Sequence, residues 1–234
     1  GLGTLVSLYL AAGGVGRLGL VDHDRVELSN LHRQILFGEP DVGEYKVHVA
    51  QKRLKSMHPS VEIKSYPFRV QESSLPSLSE EYDLVIDGTD NYSARYFIND
   101  VCVASRTPFV SASILRFEAQ LSFFDSRSGP CYRCLFPSEP ASHLQASCNE
   151  VGVLGVSVGV VSSLQALQAI QFLVGVGNLL NGKLLLLSLL SLDMNRIEFE
   201  KDPLCGTCGS GEILSVSPEN FSSKCTSCFV FPKA

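Results

Sequence analysis

The stretch RLGLVDHDRVELSNLHRQ, residues 17–34, runs from a short apolar segment, Leu18 to Val21, through the acids Asp22 and Asp24 into a long polar loop. A buried strand that ends in an acid belongs at the carboxyl edge of an open α/β sheet, where such sheets bind their ligands. YDLVID, at 82–87, repeats the pattern. Between the two, Val42 to Met57 reads as an amphipathic helix, Val61 to Tyr66 as a strand and Gln71 to Leu78 as a short helix. Ahead of them, the apolar run Leu5 to Ala12 reads as a helix ended by Gly13-Gly14. Strands alternating with helices predict a parallel sheet.

Downstream the pattern changes. Asn91 to Ser105 is a helix capped by Asp90 or Asn91, Phe109 to Ser113 a strand, and Glu118 to Asp125 alternates as an antiparallel edge does. Leu184 to Leu187 and Arg196 to Glu200 form a hairpin. The expectation is therefore an α/β fold, a doubly wound and mostly parallel sheet with an antiparallel extension, over residues 1–209. The Ser- and Gly-rich stretch 210–234, with its Cys225/Cys228 pair, reads as a disordered tail.

Composition narrows the function. The 234 residues carry a net charge of −5, which argues against a partner bound through a basic field, nucleic acid above all. Eight cysteines without a leader pattern point to a reducing compartment, the cytosol by default, so the localisation expected is cytoplasmic. From Val151 to Gly182 no residue is charged, a length able to span a bilayer. Ser157, Ser162, Ser163, Gln165, Gln168 and Gln171 interrupt it, whereas Leu164, Leu167, Ile170, Leu173 and Val174 recur at helical spacing. A buried or interface helix fits better than a membrane partner.

Two Cys-x-x-Cys pairs, Cys131/Cys134 and Cys205/Cys208, stand among Gly and Pro. Thiolates three positions apart on a tight knuckle reach two corners of a tetrahedron, so two knuckles complete a structural zinc site. Two disulfides or buried apolar thiols are the alternative. Three other patterns mislead. Gly14 to Gly19 fits G-x-G-x-x-G but follows a helix and enters a strand, the reverse of what a pyrophosphate needs. Gly177 to Lys183 resembles a phosphate loop, yet Leu184 stands where Ser or Thr would hold magnesium. Gly155 to Gly159 resembles a nucleophile elbow, but every histidine precedes Ser157, so a Ser-acid-His order cannot be built.

The strand-end acids Asp22, Asp24, Asp87 and Asp90 form the remaining constellation. Asp22 suits a ribose hydroxyl, and Arg33 with Lys46 suits a polyphosphate, each on its own being an ordinary surface charge. These residues, with LGLVDHDRVELSNLHRQ, Lys46, DGTDN, SASILRFEAQL, GPCYRCLFP and GVLG, closely resemble the adenylation domain of the ubiquitin-activating-enzyme-like family. The similarity covers roughly Gly1 to Gly209 and is specific, because several long strings recur in order.

The resemblance implies a ThiF-type sheet, a dimer, a structural zinc held by four cysteines, and ATP with magnesium as cofactors. The activity implied is transfer of AMP to the C-terminal glycine of a ubiquitin-like sulfur-carrier protein, the partner expected. It makes Asp22 the ribose ligand, Asn30, Arg33 and Lys46 the phosphate contacts, and Asp90 the magnesium-linked acid beside Asn91. It draws Gly1, Ser29, Leu31 and His32 into the nucleotide-binding set, and makes Cys148 a nucleophile for acyl or sulfur transfer. The family's first strand and further glycines are not matched ahead of Gly1, and its rhodanese-like domain is not matched after Gly211. A catalytically inert, zinc-stabilised scaffold that binds a ubiquitin-like partner is the alternative, and a nicotinamide dehydrogenase a more distant one.

Overall fold

The computed structural model describes residues 1–69, 75–140, 152–209 and 227–233. In chain order these form α1 (Leu2–Ala12), β1 (Arg17–Val21), α2 (Lys46–Met57), β2 (Glu62–Tyr66), α3 (Leu75–Glu80), β3 (Val85–Thr89), α4 (Tyr92–Ser105), β4 (Phe109–Leu115), β5 (Glu118–Phe124), α5 (Tyr132–Leu135), α6 (Gly155–Val174), β6 (Lys183–Ser188), β7 (Asp193–Glu198) and β8 (Ser227–Lys233). The strands make one sheet in the order β2-β1-β8-β3-β4-β5-β6-β7. β1 pairs with β2, and β3 with β4, in parallel, and β4 through β7 are antiparallel neighbours.

Strand periodicity builds two cores. Leu84, Ile86, Val110, Ala112, Leu121 and Phe123 point to the face covered by α1, α2 and α6. Val85, Phe109 and Phe124, the alternating residues, point to the face that carries α3, α4 and α5. Successive strand side chains face opposite ways, so a strand buried on both sides reads as an unbroken apolar run rather than an alternating one. Helix ends follow local chemistry. Asn91 caps α4 by accepting the Ala94 N–H at 2.9 Å, and Gly175, at φ +71°, ends α6 in the left-handed conformation glycine favours.

Several expectations need correction. The helix expected from Val42 starts at Lys46, because a 3-10 turn over Glu39–Asp41 and Gly43 at φ +92° occupy the approach. The stretch 118–124 is no edge: β5 lies between β4 and β6, and the hairpin β6/β7 extends the sheet beyond it. Of the 210–234 stretch expected to be a disordered tail, Ser227–Lys233 forms β8, antiparallel to both β1 and β3. The unbroken apolar run Cys228 to Phe231, with two phenylalanines and a valine, suits an extended segment between two strands. Residues 210–226, with Cys225, and the expected helix start at 71–74 lie outside the described residues.

α6 is long and apolar enough to cross a bilayer by length and composition, with 44% of its most apolar window buried inside the protein. Here its inner residues, Val158, Val161, Ala166 and Ala169, pack into the core beside α1.

Candidate active site

The carboxyl ends of β1 and β3 open onto one cavity of about 450 Å³, a size typical of ligand sites. Asp22, Asn30, Arg33, Lys46, Asp90 and Asn91 all line it, as does Gly1 at the start of α1. Asp22 follows β1 directly and is buried, its Oδ1 accepting the Asp24 N–H at 2.8 Å. Burial raises its pKa above the usual carboxylate value and nearby Asp24 adds to this, while the Lys46 ammonium and the Asp24 N–H oppose it. Lys46, first residue of α2, donates from Nζ to Asp24 Oδ2 at 2.9 Å.

The loop after β1 closes into a 3-10 turn at Leu28–Asn30. Glu27 Oε2 accepts from Asn30 Nδ2 at 3.1 Å, and Asn30 Oδ1 accepts from Arg33 Nη2 at 2.6 Å. The chain Glu27–Asn30–Arg33 orients the guanidinium, which costs less order on binding than an unrestrained arginine would. Ser29, Leu31 and His32 belong to the same loop but are not among the residues lining the cavity. Ser29 Oγ reaches Glu27 at 3.3 Å, His32 Nε2 lies 3.1 Å from Arg33 Nη1, and Leu31 packs against the core.

Below Asp90, Asp87 is fully buried and accepts from Ser111 Oγ at 2.7 Å, Arg95 Nε at 3.3 Å and the Thr89 N–H at 2.9 Å. Arg95 also donates from Nη2 to the Thr89 carbonyl at 3.2 Å and lines the cavity. Burial works against its charge, but Asp87, Tyr132 and Tyr92 together outweigh it, and the net shift of the arginine pKa is upward. Arg95, Glu27 and Gln34 went unrecognised in the sequence, since an arginine in a helix or a glutamate in a loop looks like any solvated charge. Gln34 lines the cavity with a buried Oε1 that has no partner among the described residues. Cys148 lies outside the described residues.

The four cysteines converge. Their Sγ atoms lie within 4.8 Å of one another, with Cys134 to Cys208 at 3.4 Å, Cys131 to Cys205 at 3.7 Å and Cys131 to Cys134 at 3.9 Å. Zinc–thiolate bonds of about 2.3 Å give tetrahedral S···S edges of about 3.8 Å, so the cluster has the size of a four-thiolate metal site. All four are free thiols rather than disulfides. Burial raises the Cys131 thiol well above its usual value and, with Cys134 beside it, takes Cys208 to about 11. At Cys205 burial is outweighed by the N–H groups of Cys208 and Thr207 together with the Cys131 and Cys134 side chains, and the thiol is lowered. A bound cation would turn such thiols into thiolates.

A cavity of this size at the carboxyl ends of the strands of a doubly wound sheet, lined by Asp22 and Asp90 together with Arg33 and Lys46, defines a ligand-binding α/β domain. The chain belongs to the ThiF family, whose model matches residues 1–207. It is 44% identical over 214 residues to the sulfur carrier protein adenylyltransferase of Thermus thermophilus, covering 89% of this chain and 79% of that one. It is equally 44% identical, over 210 residues, to the adenylyltransferase and sulfurtransferase MOCS3 of Sus scrofa, and 41% over 216 residues to that of Anopheles gambiae. The chain spans 46% and 49% of those two proteins, about half their length. Among solved structures, Escherichia coli MccB with ATP superposes at a TM-score of 0.76 and 23% identity, over 89% of this chain and 64% of that one, which establishes the shared fold.

Proposed function

We propose that the chain is the adenylation domain of a sulfur-carrier-activating enzyme, which transfers AMP from ATP to the C-terminal glycine of a ubiquitin-like carrier. The observation that carries this reading is the pairing, in one cavity, of the oriented Arg33 and Lys46 with the acids Asp22 and Asp90. Asp22 would accept from the ribose, Arg33 and Lys46 would bind the phosphates, and Asp90 would hold magnesium. A single carboxylate with phosphate oxygens is the usual protein share of a magnesium site, where the ion screens phosphate charge. The similarity to adenylyltransferases that act on sulfur carriers supports the choice of substrate.

The chemistry asks little of the protein beyond alignment and charge. The carrier carboxylate is ionised at neutral pH and needs no base. Its oxygen attacks the α-phosphorus, a new P–O bond forms, the bond to the β-phosphate bridging oxygen breaks, and pyrophosphate leaves with the electron pair. Arg33 and Lys46 stabilise the charge that builds on the departing group. The cavity is also lined by Ser113, Ile114 and Leu115 of β4 and by Tyr132 and Phe136, a side that would suit an extended C-terminal tail.

Finer readings belong to the same proposal. A zinc ion in the cysteine cluster fits the sulfur distances. Cys148 would act after adenylation, its thiolate displacing AMP from the acyl carbon. Tyr9, Val160, Leu167 and Val174 stand exposed on α1 and α6, which supports a homodimer. The free thiols Cys102, Cys131, Cys134, Cys205 and Cys208 suit a reducing cytosol. ATP–pyrophosphate exchange tests the central step. Exchange should require a carrier ending in glycine and fall by about a hundredfold or more in Asp90→Ala. A folded chain that binds carrier without ATP and exchanges nothing would instead be the inert scaffold.

A further inference from the structure

The uncharged helix α6 meets three segments that carry the site, each at a different level of its length. At its first turn, Gly155 lies so close to the loop after β1 that a methyl group there would overlap the His32 carbonyl oxygen. The His32 carbonyl carbon and the Arg33 Cα would stand 3.1 and 3.5 Å from that Cβ. Two turns on, Ser162 Oγ lies 3.2 Å from the Leu2 carbonyl at the start of α1. One turn further, Gln165 is wholly buried and donates from Nε2 to the Asp87 carbonyl at 2.7 Å and the Val110 carbonyl at 3.1 Å.

The Gln165 amide oxygen has no partner among the described residues. A leucine would fill the same volume without burying an unpaired oxygen, so packing alone does not explain glutamine here. Its amide does what leucine cannot: it fastens β3 at Asp87, three residues before Asp90, to the helix that abuts Arg33. We propose that α6 sets the separation between the two halves of the site, with Gly155 positioning Arg33 and Gln165 positioning the Asp87–Asp90 segment at the end of β3. The proposal rests on the nucleotide reading of the cavity. Helices are stiff along their length, so a displacement at either contact changes the span from guanidinium to acid, and alignment of reacting groups is sensitive to shifts of about 1 Å.

Three variants of the full chain test this: Gly155→Ala, Gln165→Leu and, as a control in the same first turn, the exposed Val156→Ala. The readouts are equilibrium binding of ATP, the kcat and KM of ATP–pyrophosphate exchange, and hydrogen exchange of the amides of Asn30–Arg33 and Gly88–Asp90. Gly155→Ala should weaken ATP binding about fivefold or more and speed exchange at Asn30–Arg33. Gln165→Leu should leave ATP affinity within about twofold, lower kcat about tenfold and speed exchange at Gly88–Asp90. Val156→Ala should match the parent.

A loss of melting temperature with unchanged affinity, kcat and local hydrogen exchange would reduce both residues to structural ones and overturn the proposal. So would effects equal at the two ends whichever residue is changed. If Gln165→Leu does not fold, Gln165→Asn, which keeps the amide on a shorter arm, gives the same reading at Gly88–Asp90. A parent that exchanges no pyrophosphate would sink the adenylation reading. The amide pattern would still decide whether α6 holds the two segments.

Discussion

At the scale of single residues, the site sets stability against binding. Asp22 is buried, and its folded pKa lies above the 3.8 of an ordinary aspartate. A raised pKa in the folded state means that the contribution of this carboxyl to stability is fully present below 3.8 and is lost as pH rises through the folded value. At neutral pH, ionised Asp22 therefore works against the apo fold. Asp22→Asn keeps the oxygen that accepts the Asp24 N–H and removes the charge. It should melt higher than the parent at about pH 7, and the gap should close toward about pH 4, where the parent carboxyl regains its proton. The same change should weaken ATP by about tenfold, since charge-assisted bonds to ribose hydroxyls are stronger than neutral ones. Thermal scans across pH beside an ATP titration check both; a variant less stable at neutral pH would mean the charge is compensated. That Asp22, Arg33, Lys46 and Asp90 line one cavity was legible because their residue types fall at strand ends and in or just after a loop too long for mere connection. Glu27, Arg95 and Gln165 were not. Their roles depend on which neighbours the fold delivers: Asn30, Asp87 and two strand carbonyls.

At the scale of elements, the alternation of apolar runs and amphipathic segments was enough to give β1, β2, β4 and the helices between them. What it could not give is pairing between segments distant in sequence. The order β2-β1-β8-β3-β4 places β8 where a doubly wound sheet of order 3-2-1-4-5-6 has its strand 1. That position joins the strand ending at Asp22 to the strand leading to Asp90. β8 fills it in the antiparallel sense, with Val230 opposite both Leu20 and Ile86. The apolar run Cys228 to Phe231 is short and lies in a Ser-rich stretch, and Pro232 argues for an edge, since proline gives no N–H to a ladder. Its place near the β8 end, opposite Leu18, limits the loss to one donor. Val230→Pro would remove a second, in the middle of the ladder. The expected effect is destabilisation, read as a lower denaturant midpoint, with faster amide exchange along Leu18–Val21 and Ile86–Thr89. Unchanged protection of those amides would mean that β1 and β3 do not depend on β8.

At the scale of the whole molecule, the cysteine cluster joins the turn after β5 to the chain beyond β7, across 70 residues that include α6 and the β6/β7 hairpin. The Cys-x-x-Cys spacing made the cluster legible from the start. Its connection to the cavity was not, because that runs through contacts of the residues between and beside the ligands. Tyr132, between Cys131 and Cys134, donates its backbone N–H to the Asn99 side-chain oxygen at 2.8 Å and lines the cavity. Tyr96 donates to the carbonyls of Phe136 and Ser138 at 3.0 and 2.7 Å, which holds the next stretch of wall. Closing a loop of this length with a covalent link stabilises a fold by about 4 kcal/mol on the entropic account, and a tightly held ion acts in the same way. Metal removal, by a chelator or by Cys205→Ser, should therefore lower the melting temperature and loosen residues 131–136 together with 203–209. The functional effect should be unequal. The side of the cavity lined by Tyr132 and Phe136, proposed for the carrier tail, rests on the knuckle, whereas Asp22, Arg33 and Lys46 stand at the end of β1, in its loop and on α2. The carrier KM should rise about fivefold or more while ATP affinity stays within about twofold. Equal losses for both substrates would mean that the cluster holds the fold as a whole rather than one wall of the site, and a chain that carries no zinc after purification in its presence would remove the metal from the account.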